Sequence, residues 1–261
     1  MEQNSTQSSL RITFLGTGTS HGVPVVGCSC RVCISTDPKD KRLRTSIHLE
    51  ANGKSIVIDT GPDFRQQMLR HQVKRLDAVV YTHEHKDHTG GLDDVRGFNL
   101  FQDSPIPLYA RTPVLDRLRQ EYGYIFNEDY PSLPQITLQP ITKQPFEILG
   151  IPFVPIEVQH YQLSVLGFRI NNFTYITDAK VIEPAEKKKM YGTHTLVLNA
   201  IHYEQNVAHF TIEEALALVE EIQPVRTYFV HMSHQVGLHC EVEKTLPPGV
   251  SLAHDGLVIE L

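Results

Sequence analysis

The chain has 261 residues, and its ordinary globular composition, 41% hydrophobic and 21% charged, excludes a disordered or collagen-like protein. Acidic residues outnumber lysine and arginine by 30 to 24, and the resulting net charge of −6 disfavours a nucleic acid as the main partner. No apolar run approaches the ~20 residues that cross a bilayer, and the polar residues 1–9 lack the apolar core of a signal peptide. We therefore expect a cytoplasmic protein that has no membrane partner.

Strand signals recur along the whole chain. Runs rich in β-branched and aromatic residues, bounded by turn residues, predict strands at 11–15, 45–51, 54–59, 77–81, 106–110, 146–148, 153–158, 165–170, 173–177, 195–198, 225–230, 251–253 and 257–259. Asn52-Gly53 between the second and third of these is a strong signal for a two-residue hairpin turn. Because no linker or composition break interrupts the pattern, we predict one α/β domain over residues 1–261, with residues 1–10 as a flexible N-terminal extension.

Helices are predicted between several of these strands, at 62–71, 92–101, 113–122, 184–191 and 211–222. Thr112 is predicted to cap the third helix, and Thr211 with Glu214 predicts a capping box at the start of the last one. The loop 125–134 has no assigned structure and could be a lid, a dimer contact or plain surface.

A histidine-rich motif, H-x-H-x-D-H, occupies residues 83–88, directly after a predicted apolar strand. His83 and His85 are two apart and project to the same side of an extended backbone. His85 and His88 are three apart and come together where the chain turns into a helix. Asp87 adds an oxygen donor, and a set of imidazole and carboxylate donors without thiolate suits zinc, manganese or Fe(II). The spacing predicts a metal site, and the alternative interpretation is an exposed histidine-rich loop.

Further metal ligands are expected from other strand ends, because ligands gather there in open α/β sheets. His160, Asp178 and His231 each follow a predicted apolar strand. Each of them, taken alone, is more often a structural residue than a ligand. Their common position after a strand favours a shared site.

A second cluster consists of three closely spaced cysteines, Cys28, Cys30 and Cys33. Three thiolates and one further donor form a tetrahedral structural zinc site, and the alternatives are redox-active or incidental thiols. The spacing leaves three candidates for the fourth ligand: Cys240, His239 and His234. The residues alone favour Cys240.

Two more motifs complete a recognisable pattern: Phe-Leu-Gly-Thr-Gly at residues 14–18 and Ile-Asp-Thr-Gly at residues 58–61. Together with the histidine motif and the three later donors, they resemble the metallo-β-lactamase superfamily. The resemblance runs from about Ile12 to the C-terminus. It implies an α/β fold, an αββα sandwich, with a dinuclear metal site at its edge.

The same resemblance implies how the donors are shared between two metal ions. It assigns His83, His85 and His160 to the first metal, Asp87, His88 and His231 to the second, and Asp178 to both. Asp59 resembles the family's supporting acid, which steadies the ligand loop through hydrogen bonds. The donors allow manganese, zinc or iron.

The three cysteines and the string His-Met-Ser-His-Gln at residues 231–235 resemble the PhnP family of cyclic phosphodiesterases. That resemblance implies that His234 completes a Cys₃His zinc site, which one short segment would connect to His231. His209 matches the family's catalytic histidine, which is not a metal ligand. Asp87 is expected to be catalytic as well as a ligand.

The resemblance implies a phosphodiesterase whose partner is a small cyclic phosphodiester, such as 5-phosphoribosyl 1,2-cyclic phosphate. A hydroxide bridging two catalytic divalent metals would attack phosphorus, and His209 would protonate the departing oxygen as general acid. One structural zinc completes the expected cofactors. The family tends to be dimeric, which leaves a homodimer as an option.

Three other functions stay open at the level of sequence. Ribonuclease Z-like RNA processing shares the motif at 14–18, but we find no long substrate arm and the net charge is unfavourable. Thioester or other acyl hydrolysis occurs in relatives of the glyoxalase II kind. A non-catalytic protein that uses metals as a scaffold is the third alternative.

Overall fold

The computed structural model describes residues 9–126 and 133–261. Within these residues the chain forms fourteen strands, in chain order β1 (Arg11–Gly16), β2 (Ser46–Ala51), β3 (Lys54–Ile58), β4 (Ala78–Val80), β5 (Ile106–Ala110), β6 (Ile136–Pro140), β7 (Phe146–Ile148), β8 (Ile151–His160), β9 (Leu163–Ile170), β10 (Phe173–Ile176), β11 (Thr195–Asn199), β12 (Arg226–Val230), β13 (Val250–Leu252) and β14 (Val258–Glu260).

The helices lie between these strands: α1 (Phe64–Arg70), α2 (Lys86–Thr89), α3 (Arg96–Gln102), α4 (Thr112–Glu121), α5 (Pro184–Lys187), α6 (Ile212–Ile222) and α7 (His239–Val242). Short 3₁₀ turns occur at Pro38–Asp40, Leu92–Val95, Gly123–Phe126 and His234–Val236. None of the helices in the described ranges has the length and apolar character needed to cross a bilayer.

The strands form two seven-stranded sheets, each partly antiparallel and partly parallel. The first has the order β14-β1-β2-β3-β4-β5-β6 and is parallel from β3 to β6. The second has the order β13-β12-β11-β10-β9-β8-β7 and is parallel from β13 to β10. Asn52 and Gly53 have φ angles of 52° and 69°, as a two-residue hairpin turn requires, which confirms the predicted turn.

Apolar side chains fill three layers. Phe14 and Ile47 of the first sheet and Phe153 and Phe168 of the second lie in one buried cluster between the sheets. A second cluster joins the outer face of the first sheet to α1 and α4, and a third joins the second sheet to α6. The order helix, sheet, sheet, helix confirms the predicted αββα sandwich.

Several predicted elements differ from the structure. Thr112 does not cap α4 but is its first helical residue, and Arg111 occupies the cap position without a side-chain hydrogen bond. The predicted helix 184–191 ends at Lys187, and beyond it the carbonyl groups of residues 189 and 191 accept hydrogen bonds from the Arg169 guanidinium. The capping box of Thr211 and Glu214 is confirmed. The sequence analysis missed β6.

Two predicted segments lie partly outside the described residues. Of the proposed extension 1–10, residues 1–8 are outside them, whereas Leu10 is buried and exchanges two backbone hydrogen bonds with Leu261. Of the unassigned loop 125–134, residues 127–132 are outside the description.

The sheet topology brings five strand ends to one edge of the sandwich. Strands β3 and β4 run parallel in the first sheet, and β8 runs in the same direction as β10 and β12 in the second. Parallel strands place their carboxyl ends at the same edge. Residues that follow these strands are therefore candidates for a common site.

Outside the strand ends, His48 of β2 is buried. Its Nε2–H donates to Ser55 Oγ over 2.7 Å, because Ser55 itself donates to the carbonyl of Arg75. Burial lowers the pKa of His48 to about 4, while Glu50 opposes this effect. A histidine whose pKa is lower in the folded state stabilises the fold above pH 6.5, and this contribution is lost as the pH falls towards 4.

We predict that, as the pH falls from 6.5 to 4, the free energy of unfolding decreases by about 2–3 kcal/mol less in His48→Gln than in the wild type. Denaturant titrations at several pH values measure this slope. His21→Gln, which changes an exposed histidine, serves as the control and should keep the wild-type slope. Identical slopes for wild type and His48→Gln would contradict the prediction.

Candidate metal centre

The histidine motif lies where β4 gives way to the short helix α2. His83 and His85 lie on the connecting segment, and Asp87 and His88 lie within α2. The ring of His83 is 4.6 Å from that of His85 and 4.2 Å from that of His88, measured between centroids. The change from extended to helical backbone thus gathers donors from six consecutive residues.

Three residues from the second sheet meet this motif. His160 is the last residue of β8, Asp178 comes two residues after β10, and His231 comes directly after β12. The His160 ring lies 5.2 Å from that of His85. The Asp178 carboxylate lies 3.3 Å from His88 Nε2 and 3.1 Å from His231 Nδ1.

The donor atoms form two groups, in each of which they lie within 4.8 Å of one another. The groups are His83, His85, His160 and Asp178, and Asp87, His88, Asp178 and His231. Asp178 belongs to both. The structure therefore brings together all seven residues that the sequence pointed to, in the division that the resemblance implied. Each group offers the imidazole and carboxylate donors that a divalent metal accepts.

Asp59 lies fully buried behind the motif and fixes its orientation. Its carboxylate accepts hydrogen bonds from His88 Nδ1 at 2.7 Å, from the Thr82 backbone N–H at 2.9 Å and from the Thr82 hydroxyl at 2.8 Å. Because the Thr82 hydroxyl donates to Asp59, it accepts the Nδ1–H of His83 at 2.9 Å. Both histidines consequently direct Nε2 into the centre, the orientation that metal-binding histidines take from such partners.

Three ring nitrogens in the centre are buried and make no hydrogen bond: His83 Nε2, His88 Nε2 and His231 Nδ1. Buried polar atoms in native proteins are almost always paired, so each unpaired one needs an explanation. A metal ion accepts the lone pair of an unprotonated ring nitrogen. The donor set and its unpaired atoms therefore fit a pair of divalent cations.

The carboxylates of the centre favour positive charge at its middle. Burial acts to lower the pKa of His88, but Asp178, Asp87 and Asp59 outweigh burial and hold it well above the usual value. Burial likewise opposes ionisation of Asp178, yet His231 and His88 hold its pKa well below the usual range. A site that stabilises cationic imidazole in this way is electrostatically suited to a cation.

Three of these residues adopt left-handed backbone conformations. The φ angles of Asp59, Asp178 and His231 are 67°, 54° and 55°. Such a conformation costs a residue other than glycine about 1–3 kcal/mol, and residues under this strain cluster at functional sites. Each residue follows a strand, and the sharp turn directs Asp178 and His231 into the centre and Asp59 towards the histidine motif from behind.

His209 adjoins both donor groups without belonging to either. Its ring lies 4.5 Å from that of His160 and 4.8 Å from that of His231. Its Nδ1 is buried without a hydrogen-bond partner. Burial, followed by the neighbouring His231, lowers its pKa to about 3, so its imidazole is neutral at pH 7.

The three cysteines form a separate cluster with His234. Their Sγ atoms lie 3.4, 3.3 and 3.5 Å from His234 Nδ1, in the order Cys28, Cys30 and Cys33. The four donors lie within 4.8 Å of one another and have the composition of a tetrahedral zinc site. The backbone N–H of Cys33, opposed by burial and assisted by His234, lowers the pKa of Cys30 to about 6, which favours the thiolate that binds metal.

The other two candidates for the fourth position lie elsewhere. Cys240, which the residues alone favoured, is exposed and stands outside the cluster. His239 is buried and accepts a hydrogen bond from the Arg42 guanidinium at 3.2 Å. Both lie on the short helix α7, a few residues after His234. Closeness to His234 in the sequence therefore does not bring them to the thiols.

One short segment connects the two candidate sites. His231 contributes to the dinuclear centre and His234, three residues later, contributes to the cysteine cluster. Between them, Met232 is buried and its backbone pairs with the loop after β1, through Thr17 and Thr19. Only two residues therefore separate the two candidate sites along the chain.

The sequence analysis missed two supporting residues. Thr82 relays the hydrogen bond between His83 and Asp59, and the only signal for it was its place beside the motif. Asn206 accepts hydrogen bonds from the backbone N–H groups of residues 208 and 209 and so shapes the loop that holds His209. Asparagine commonly forms such turns, so its spacing from His209 was a readable signal.

A sequence profile described as the beta-lactamase superfamily domain matches residues 54–232. Since the match spans more than half of the chain, the chain belongs to the beta-lactamase superfamily, and it has the metallo-β-lactamase hydrolase fold. This confirms the resemblance at the level of the superfamily.

An octanoyltransferase of Porphyromonas gingivalis is 39% identical over 252 residues, which cover 95% of this chain and 51% of that protein. The chain spans about half the length of the curated relatives it matches. A crystal structure described as a new diphosphatase from the PhnP family is 38% identical, with a TM-score of 0.91 over 97% of this chain and 98% of that one. The short form of human tRNase Z, 18% identical with a TM-score of 0.69 over 95% of this chain and 98% of that one, shares the fold.

The three donor clusters predict a defined metal content. We expect about three divalent ions per chain, and Asp178→Asn, which alters the donor common to two groups, should lose the paired ions and keep the one at the cysteines. Cys33→Ser should show the reverse pattern. Elemental analysis of the purified variants measures both, with the exposed Asp116→Ala as control. Wild-type metal content in Asp178→Asn would contradict the assignment.

Proposed function

We propose that the protein is a dinuclear metal-dependent phosphodiesterase of the PhnP type, which hydrolyses a small cyclic phosphodiester such as 5-phosphoribosyl 1,2-cyclic phosphate. The observation that carries the proposal is the pair of donor groups that share Asp178, with His209 beside them. The 38% identity to a diphosphatase of the PhnP family, over nearly the whole chain, supports a phosphorus-centred substrate.

The residues that would hold the catalytic metals are the seven of the two donor groups, and manganese, zinc and Fe(II) all suit them. A bound metal pair supplies a nucleophile at neutral pH and Lewis-acid stabilisation of charge on the phosphoryl oxygens. Asp59 and Thr82 contribute orientation, since they hold His88 and His83 with Nε2 directed at the substrate side. The cysteine cluster with His234 would hold a structural zinc and so fix the segment that carries His231.

His209 is the group we assign to proton transfer. Its low pKa makes the imidazole neutral at pH 7, so it must first accept a proton before it can protonate the departing sugar oxygen. We therefore assign it the role of a proton shuttle, which takes up the proton released by the attacking water and delivers it to the leaving group. Its position between the rings of His160 and His231 supports this role.

Acyl hydrolysis is the second candidate, because the relative from Porphyromonas gingivalis carries the name octanoyltransferase. That protein is about twice as long as this chain, so the activity in its name need not belong to the shared half. RNA processing has weaker support: the tRNase Z likeness, at 18% identity, concerns the fold alone, and a net charge of −6 opposes phosphate-backbone binding.

We predict that His209→Ala keeps the wild-type metal content but lowers kcat by about 10²–10⁴-fold on a cyclic phosphodiester, whose alkoxide leaving group needs a proton. The loss should be much smaller on a p-nitrophenyl phosphodiester, because p-nitrophenolate departs without protonation. Steady-state kinetics on the two substrates measure the difference. Equal losses would remove His209 from the proton-transfer role.

A substrate screen on one metal-loaded preparation tests the reaction class. We expect cyclic and linear phosphodiesters to be hydrolysed faster than octanoyl thioesters and precursor tRNA. RNA cleavage should be followed at two salt concentrations, because binding to a phosphate backbone weakens steeply with salt. Faster turnover of the thioester would favour the acyl function, and a steeply salt-dependent RNA cleavage would favour the RNA function.

A further inference from the structure

A groove of about 600 Å³ lies between α1 and α3, in the helix layer that covers the first sheet. Among the described residues that line it, none belongs to the donor groups of the metal centre or to the cysteine cluster. Clefts of about 300–1,000 Å³ with a mainly apolar lining are the usual binding sites of small molecules. The groove is therefore a candidate site for a ligand other than the substrate of the metal centre.

The floor of the groove is apolar. Phe64 and Met68 on α1 line it and are buried. The ring of Phe64 lies 6.3 Å from that of Phe98 on α3, measured between centroids, so the two helices share this floor. Removing apolar surface from water is favourable, roughly in proportion to its area. A floor of this kind favours a ligand with an aliphatic chain.

The edge of the groove exposes three large apolar side chains. Leu69 is 62% exposed, Leu100 is 73% exposed and Phe101 is 89% exposed. Exposed apolar side chains that gather around one concave site indicate a ligand that covers them. A flat surface, such as that of a membrane, would cover this edge and leave the floor uncovered. A flexible aliphatic chain enters the groove and covers both.

The charged side chains of the groove are mainly basic, although the chain as a whole carries a net charge of −6. Three cations line it, Arg65, Lys74 and Arg96. Asp94 is the one carboxylate among its described lining residues. Within residues 9–126 and 133–261, Arg65 and Lys74 have no carboxylate within ion-pair distance. These two cations are thus available to an anionic group of a ligand.

A second cavity, of about 400 Å³, adjoins the groove, because Lys74 lines both. Arg11 and Arg75 are further cations in its lining. Glu50 is the one carboxylate among its described lining residues, and it forms an ion pair with Arg11. His71 also lines this cavity, and its Nε2 atom is buried without a hydrogen-bond partner in the described part of the chain. The lining therefore changes near Lys74 from apolar to polar and basic.

We propose that the groove and the adjoining cavity form a binding site for an aliphatic carboxylate, a molecule of the fatty-acid class. The aliphatic chain lies on Phe64 and Met68, and the carboxylate lies near Lys74, where the lining becomes basic. The site is separate from the metal centre, so the proposal does not depend on the phosphodiesterase function.

Calorimetric titration of the purified 261-residue protein with decanoate, hexanoate and 1-decanol tests the site. We expect one decanoate to bind per chain. Hexanoate should bind about 10²-fold more weakly, because each buried methylene group strengthens binding about fourfold. The neutral 1-decanol should bind about fivefold more weakly, because it lacks the charge that attracts the cations. Absence of saturable decanoate binding, or equal affinities for hexanoate and decanoate, would overturn the proposal.

Two variants test where the chain and the carboxylate lie. Leu69→Glu should weaken decanoate binding at least tenfold, because it places a charge beside the aliphatic chain. Val225→Glu makes a similar change at a side chain that is 63% exposed outside the groove, and it should keep the wild-type Kd. Lys74→Glu should weaken decanoate binding about tenfold and leave the Kd of 1-decanol unchanged, with the exposed Lys244→Glu as control. Equal decanoate affinities in the wild type and in Leu69→Glu contradict the proposal.

Two measurements detect other occupants of the same face. Sedimentation with phosphatidylglycerol vesicles reports binding to a membrane surface, and sedimentation velocity of the protein alone reports binding to a second copy. Vesicle binding that Leu69→Glu abolishes, in a protein that does not bind decanoate, would assign the face to a membrane and overturn the proposal. A dimer that Leu69→Glu dissociates, again without decanoate binding, would assign the face to self-association and likewise overturn it.

Discussion

The carboxylate of Asp178 makes the interactions on which the rest of the centre depends. It is a buried anion that lies 3.3 Å from a histidine of the first sheet, His88, and 3.1 Å from one of the second, His231. Burying a carboxylate is costly unless opposite charge or hydrogen bonds compensate it. The imidazoles supply that compensation here, and the shared anion links the edges of the two sheets. The same arrangement produces two donor groups from seven residues, because one residue serves both.

The surrounding sheets, and not the conformational preferences of its own residues, maintain the backbone geometry of the centre. Three of its residues, Asp59, Asp178 and His231, keep left-handed backbone angles that the bare chain would avoid. The strands before them are largely buried and paired with neighbouring strands, so the sheets can sustain this strain. The strain in turn sets the direction of each side chain. Rigid sheets that end in sharp turns therefore provide the fixed geometry that a pair of cations requires.

The chemistry is divided among neighbouring parts of the same edge. The donor groups and Asp59 define the charge and orientation of the centre, and His209 stands next to them as a neutral imidazole. The cysteine cluster includes His234, which comes three residues after His231. The loop that carries His209 also carries Val207, which lines a cavity together with His85 and His160.

The sequence by itself determined the local features: the hairpin at Asn52-Gly53, the capping box of α6, the strand pattern of the sandwich and the donor motif at residues 83–88. These follow from turn chemistry, periodicity and short spacings, which act over a few residues. His160, Asp178 and His231 carried only the weak signal of following a strand, and the resemblance to a family gave them their grouping. The tertiary structure decided what local spacing leaves open: that His234 and not Cys240 meets the thiols, that Thr82 and Asn206 support the site, and that Tyr161 and Val207 share a cavity. Such contacts join residues far apart in the chain, and their geometry is set by how the two sheets pack.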